Sequence, residues 1–173
     1  MPTWLIYGFT SALLWGTDTI FSKIVTSEKY LKIDASNASL LMLAGIILVF
    51  LTFFIIKATG LSLGMKGLGF ALIFGLIFYI MFALKSNGVE LSFPVISFGL
   101  LQGCFWALGM VFTFLAFSSG AEAAKLVPIY NTNTLVAVFL GIFFLHELPM
   151  PDERVKVITG AVMIVIGTIL ISK

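Results

Sequence analysis

Leu126 to Leu145 is about 20 mostly apolar residues, the length of one membrane-spanning helix. Polarity breaks into it near its start. Pro128 sits in the first turns, and Tyr130, Asn131, Thr132, Asn133 and Thr134 follow almost at once. A row of hydrogen-bonding side chains beside a helix breaker is costly at membrane depth unless it faces protein or water. This stretch therefore demands an integral membrane protein with an interior, and it marks one place where that interior is polar.

Composition agrees. The chain of 173 residues is 60% hydrophobic and 10% charged, where a soluble domain carries about 25% charged residues. The formal net charge of +2 is scattered and gives no nucleic-acid footprint. Cys104 is the one cysteine, so no disulfide or cysteine-based metal site forms within a chain; it reads as a small core residue. The N-terminus has no basic region or cleavage pattern of a signal peptide, so the first apolar run is expected to stay as a helix.

Apolar runs predict an all-α membrane bundle of five to six transmembrane helices, one domain over 1–173, with spans near 3–25, 36–56, 67–84, 95–118, 123–146 and 155–171. In the first span, Tyr7, Ser11, Trp15, Asp18 and Ser22 share a face at helical spacing, opposite Leu5, Phe9, Leu13, Ile20 and Ile24. The first set predicts an interior side and the second a lipid side. Asp18 is either bonded to Ser22 or a neighbouring helix, or it is a substrate, cation or proton site. Lys23 is placed to snorkel out or to neutralise Asp18. The body of the second span is apolar on all sides, as lipid contact allows. In the fourth span Gln102, Trp106, Gly109 and Thr113 share a face, which suits helix packing or a cavity lining equally. Gly67, Ala71 and Gly75 in the third span, and Gly160 with Gly167 in the sixth, predict small-residue contact faces. Asp152 and Glu153 stand where a helix N-terminus favours negative charge. Lys57 to Lys66 reads as a loop, and Lys173 ends the chain at the interface.

In the fifth span Pro128 removes a backbone donor and clashes with the carbonyl of Ala124, so a kink is expected there. In a regular helix Asn131 and Thr134 lie on one face and Tyr130 and Asn133 on another. Both asparagines line one cavity only if the backbone is distorted. Their amides offer donors and acceptors, suiting hydroxyl-rich or amide ligands; the alternative is that they fix packing against other helices.

Catalytic motifs are missing from the pattern. His146-Glu147 has no second histidine at helical spacing, so it is no zinc-protease motif, and no phosphate-binding loop is present. No enzyme activity, cofactor or metal is expected.

Span one reads SALLWGTDTIFSK. Spans four and five read LLQGCFWALGMVFTFLAFSSGAEAAKLVPIYNTNTLVAVFLGIFFLHE, and span six VITGAVMIVIGTIL. In this order they resemble the drug/metabolite transporter superfamily, of the EamA-like or sugar-uptake-like type. The matching positions are Trp15-Gly16, Ala116 to Gly120, Pro128, Glu147, and Gly160 with Gly167; residues 57–94 carry no part of the likeness. The resemblance implies a metabolite carrier working by alternating access, with substrate near the midplane, in the inner membrane of a prokaryote. Family members commonly have ten helices as two inverted five-helix units. This chain is about half that length, so the resemblance implies a partner, most simply a homodimer. A re-entrant or interfacial 67–84 segment restores the five-span count of one unit. Basic residues favour a cytoplasmic side holding Lys23, Lys29, Lys32, Lys85, Arg154 and Lys156, against Lys57, Lys66, Lys125 and Lys173 on the other.

The leading expectation is a secondary transporter of a small polar metabolite such as a sugar, amino acid or amine. Asp18 is its coupling or cation-binding group. Trp15, Gln102, Trp106, Tyr130, Asn131, Asn133 and Thr134 line the substrate site. A non-transporting membrane subunit, or a flippase for lipid-linked substrates, is the alternative.

Overall fold

The computed structural model describes every residue except Thr59, Leu61, Leu148 and Lys173. The expectations for Lys173 at the interface, and for parts of the Lys57–Lys66 loop and the His146–Leu148 end, therefore lie outside the described residues. Those residues form helices alone: α1 Thr3–Thr26, α2 Ala35–Lys57, α3 Leu63–Ser86, α4 Phe93–Ser118, α5 Ala123–Tyr130, α6 Asn133–Phe144 and α7 Pro151–Ser172. Five stretches are long and apolar enough to cross a membrane: α2, α3, α4, the pair α5–α6, and α7. The third of the expected spans is thus a full-length helix of 24 residues, longer than the apolar run 67–84 that pointed to it. α1 equals it at 24 residues but is not among the five. Its Ser, Thr, Asp18 and Lys23 content dilutes the apolar run, so α1 needs protein around it more than lipid.

Local chemistry sets the helix ends. Asp34 caps α2, its carboxylate accepting from the N–H groups of Ser36 and Asn37 at 3.0 and 3.1 Å. Ser62 caps α3 by accepting from Met65 N–H. α3 and α4 end alike. Gly88 and Gly120 take φ of +81° and +88°, and the N–H two residues past the cap returns to a carbonyl five back: Val89 to Leu84, and Ala121 to Ala116. The Ala116-to-Gly120 signature is therefore a helix stop, with alanine where the turn folds back and glycine where left-handed backbone is required. α7 opens on Pro151, with Asp152 and Glu153 in its first turn as expected.

The chain divides into two units, Met1–Ile20 with Leu108–Lys173, and Phe21–Ala107. In the second unit, Val25, Ala38, Leu41, Ala44, Ile80, Leu84 and Val95 form the core. α2 and α4 approach closely where glycine meets glycine: a Cβ at Gly45 or Gly103 meets backbone of the opposing helix. α2 therefore has a buried face, Ala38, Leu41, Ala44 and Gly45, where its uniform apolarity suggested lipid all round. α3 buries Ile73, Ile80 and Leu84. Its expected contact face is a correction: Gly67, Ala71 and Gly75 are exposed, and a methyl added at either glycine meets nothing within 4 Å. The larger branched side chains bury more apolar area, and that decides which face turns inward.

In the first unit, Gly8 lies against Leu126 and Ile129, and Gly16 against Val136 and the Asn133 carbonyl. These close approaches turn α1 toward α5 and α6. The interior face of α1 is as expected, with Ser11 and Asp18 buried, but its lipid face is narrower. Leu13 is exposed while Leu5 and Ile20 are buried. Gly160 and Gly167 meet nothing within 4 Å of an added methyl, so the contact face expected on α7 is open.

Candidate functional site

The polar run after Pro128 breaks the fifth span in two. Pro128 lies inside α5, and the helix is interrupted at Asn131–Thr132, three residues beyond it. The reason is local hydrogen bonding. Thr132 N–H bonds to the carbonyl of Ile129, three residues back, and Leu135 N–H does the same to Thr132. The Thr132 hydroxyl adds a second donor to the Ile129 carbonyl at 2.7 Å, and the Thr134 hydroxyl donates to the Asn131 carbonyl at 3.0 Å. Both hydroxyls thus add a second donor to carbonyls of the tight turns that replace the regular ladder here. The expected distortion is present, and its seat is the Asn-Thr step rather than the Ala124–Pro128 turn.

Trp15 and Tyr130 are brought together. Their rings meet edge to face with centroids 5.0 Å apart. The indole also crosses α4 at Gly109, where a Cβ would collide with Nε1. Above this contact, Ser11 donates to the Gly109 carbonyl, and its Oγ lies 2.8 Å from Thr113 Oγ1. One turn beyond Trp15 on the same helix face is Asp18. It is 9% exposed, and its Oδ1 is buried with no hydrogen-bond partner among the described residues.

The asparagines and Thr134 are distributed differently. Thr132, not singled out from the sequence, is the buried member of the run; Asn131 and Thr134 are exposed and Asn133 is half-buried. Thr134 opens onto a groove of about 230 Å³ between α6 and α7, lined also by Val138, Lys156, Gly160 and Ile164. Lys156 was expected only as an interfacial charge. Gln102 and Trp106 belong to the second unit. Gln102 is 6% exposed and donates from Nε2 to Met42 Sδ at 3.4 Å, while its Oε1 is buried without a partner among the described residues.

A family model described as Sugar transport protein matches residues 61–173, more than half of the chain. The chain belongs to the sugar transport family. It is a membrane transporter of that family, within the drug/metabolite transporter superfamily, and not an enzyme. No curated protein and no solved structure matches it. The sugar transport match takes in α3, α4 and the broken α5–α6 span, and with them Gln102, Trp106, Tyr130, Asn131, Asn133 and Thr134. It includes residues 61–94 of the 57–94 stretch that carries no part of the sequence likeness, and it stops short of α1, where Trp15 and Asp18 stand.

What the sequence reading missed was the Ser11–Gly109–Thr113 bonding and the role of Thr132. Ser11 and Thr113 each stood on an expected polar face, so a serine on one interior face and a Gly-x-x-x-Thr on another was the available signal. Nothing in a run of five polar residues distinguishes the threonines that turn back onto their own helix backbone.

Proposed function

We propose that the chain is a secondary transporter carrying a small polyhydroxylated solute, a sugar first, by alternating access. The observation that carries this is the buried carboxylate of Asp18, with an unpartnered oxygen on the polar face of a span-length helix. Burying an ionised carboxylate without partners is costly, so the group is suited to hold a proton, a cation or a substrate hydroxyl. Trp15 and Tyr130 supply an aromatic wall one turn away. Asn133, Asn131 and Thr134 bring amide and hydroxyl groups at a helix break. Gln102 and Trp106 are substrate-lining candidates in the second unit; the reading of the first unit stands without them.

The partner in this reading is a second copy of the chain. Asn131 is exposed at the break of a span-length helix pair, and lipid offers its amide no hydrogen bonds. A neighbouring unit, forming a homodimer, relieves that cost.

Uptake of labelled sugars into proteoliposomes, with and without a pH gradient, tests the proposal. Asp18→Asn is expected to abolish the pH dependence. Unchanged proton dependence removes Asp18 from the mechanism, and absence of uptake across a panel of sugars removes the substrate class. Asn131→Leu is expected to weaken sugar affinity.

A further inference from the structure

The last turns of α3 carry a second chemistry, remote in kind from the transport reading. Phe78, Met81, Phe82, Lys85, Ser86 and Leu91 line an open groove of about 480 Å³ in the second unit, within the ~300–1,000 Å³ of small-molecule sites. Phe78, Met81, Phe82 and Lys85 recur at helical spacing, so one face of the helix forms the long wall. Phe78 and Phe82 are both largely exposed. The wall is apolar along its length and changes character at one end, where the ammonium of Lys85 and the hydroxyl of Ser86 stand.

That end is prepared for an anion. Among the described residues no carboxylate pairs with Lys85, not even Glu90 beside the groove-lining Leu91; Glu28 is bound to Lys32, Glu122 to Lys125, and Asp34 caps α2. Bare carbonyls at a helix C-terminus repel anions. Here the Lys85 carbonyl accepts from Gly88 N–H and the Leu84 carbonyl from Val89 N–H, so two of the last carbonyls of α3 already have donors. Asn87, just past α3, donates to Asn37 in the first turn of α2 at 3.4 Å. The Ser27–Asp34 connection that leads into α2, with its exposed Lys29 and Lys32, therefore shares this end of the unit.

We propose that the groove seats an anionic phospholipid, its acyl chain along Phe78, Met81 and Phe82 and its phosphate against Lys85 and Ser86. A sugar needs more hydrogen-bonding groups than this wall supplies. A zwitterionic lipid uses the apolar wall but gains less from an unpaired cation at its end.

The test is lipid retention and thermal stabilisation of the purified full chain titrated with phosphatidylglycerol, with phosphatidylcholine of the same chains, and with soluble glycerol 3-phosphate. Phosphatidylglycerol is expected to bind about five- to tenfold tighter than phosphatidylcholine, the scale of one juxtamembrane lysine. Lys85→Gln is expected to remove that preference, and Ser86→Ala to reduce it. Phe82→Ala is expected to weaken both lipids. Lys57→Gln, at the far end of α2, is expected to leave the preference intact. Retained preference in Lys85→Gln, equal loss in Lys57→Gln, or binding of glycerol 3-phosphate as tight as the lipid each overturns the proposal. The readout is binding alone, so the result stands apart from whether sugar is transported.

Discussion

Ser11 on α1 and Thr113 on α4 share a single acceptor. Each hydroxyl lies within bonding reach of the Gly109 carbonyl, and the two oxygens are 2.8 Å apart. Three contacts are drawn among these groups, but two hydroxyls have only two protons. Either both hydroxyls donate to the carbonyl, whose oxygen has two lone pairs, or one donates to it while the other donates to its neighbour. The first unit is held at this point by a shared acceptor.

Sharing predicts non-additivity. After Ser11→Ala, Thr113 still donates to the Gly109 carbonyl; after Thr113→Val, Ser11 does. Each single change is expected to cost about 0.6 kcal/mol, the average for a hydrogen bond between membrane helices. The double change removes both donors, and its cost is expected to exceed the sum of the singles. Unfolding of the four variants in mixed micelles measures the coupling. Additive costs show that only one of the contacts is made.

The glycines sort into two classes that sequence spacing does not reveal. At Gly45 and Gly103 an added Cβ meets backbone, which cannot step aside as a flexible side chain does. Gly103→Ala is expected to force α2 and α4 apart and to lower thermal stability by several degrees, on the scale of about 1–3 kcal/mol for overpacking. Gly75→Ala and Gly160→Ala meet nothing. They are expected to be neutral, or stabilising by up to about 1 kcal/mol through helix propensity. Equal losses at Gly103 and Gly75 contradict the assignment.

The same glycines show what the sequence could and could not say. The place of each apolar helix was legible because the apolar runs are long, although α3 extends beyond its run and the fifth run is broken into α5 and α6. The polar faces of α1 and α4 were legible because lipid penalises polar groups. The close contacts were not. Gly67 with Gly75 and Gly45 with Gly103 are equally plausible from one sequence, and only the position of the opposing helix separates them. At the candidate site, Trp15, Asp18 and Tyr130 stood out as residues, but the edge contact of Trp15 on Tyr130 depends on Gly109 clearing space. Pro128 announced a distortion and Thr132 placed it, because a side-chain hydroxyl decided which carbonyls were served.

Asp34 gives a pH dependence outside the spans. The backbone N–H of Asn37 first, then its side-chain amide and the Ser36 N–H, hold the Asp34 carboxyl below its ordinary 3.8. A carboxylate with a lowered value in the folded state stabilises fully above the unfolded value, and that contribution fades as pH falls through the folded one. Asparagine caps a helix comparably and does not titrate. The melting-temperature difference between wild type and Asp34→Asn is expected to be constant from about pH 5 to 8 and to change below about pH 4. A difference that stays flat to pH 2 shows that the cap does not respond to protonation.

Gly109 and Tyr130 together fix the Trp15 ring, and that predicts which changes reach the site. Gly109→Ala places a methyl against Nε1 of the indole, so the ring must rotate away from its edge contact with Tyr130. Tyr130→Phe keeps the ring contact and removes only the hydroxyl. Tyr130→Ala removes the contact, worth about 0.5–1.5 kcal/mol beyond burial. If the Trp15–Tyr130 pair forms the wall of the sugar site, Gly109→Ala and Tyr130→Ala are expected to raise the apparent KM for uptake about tenfold, while Tyr130→Phe stays within about threefold. Tryptophan emission, read with Trp4 and Trp106 replaced by phenylalanine, reports the ring's displacement independently of uptake. A shifted emission with unchanged KM places the pair in the helix contact and not in the sugar's path.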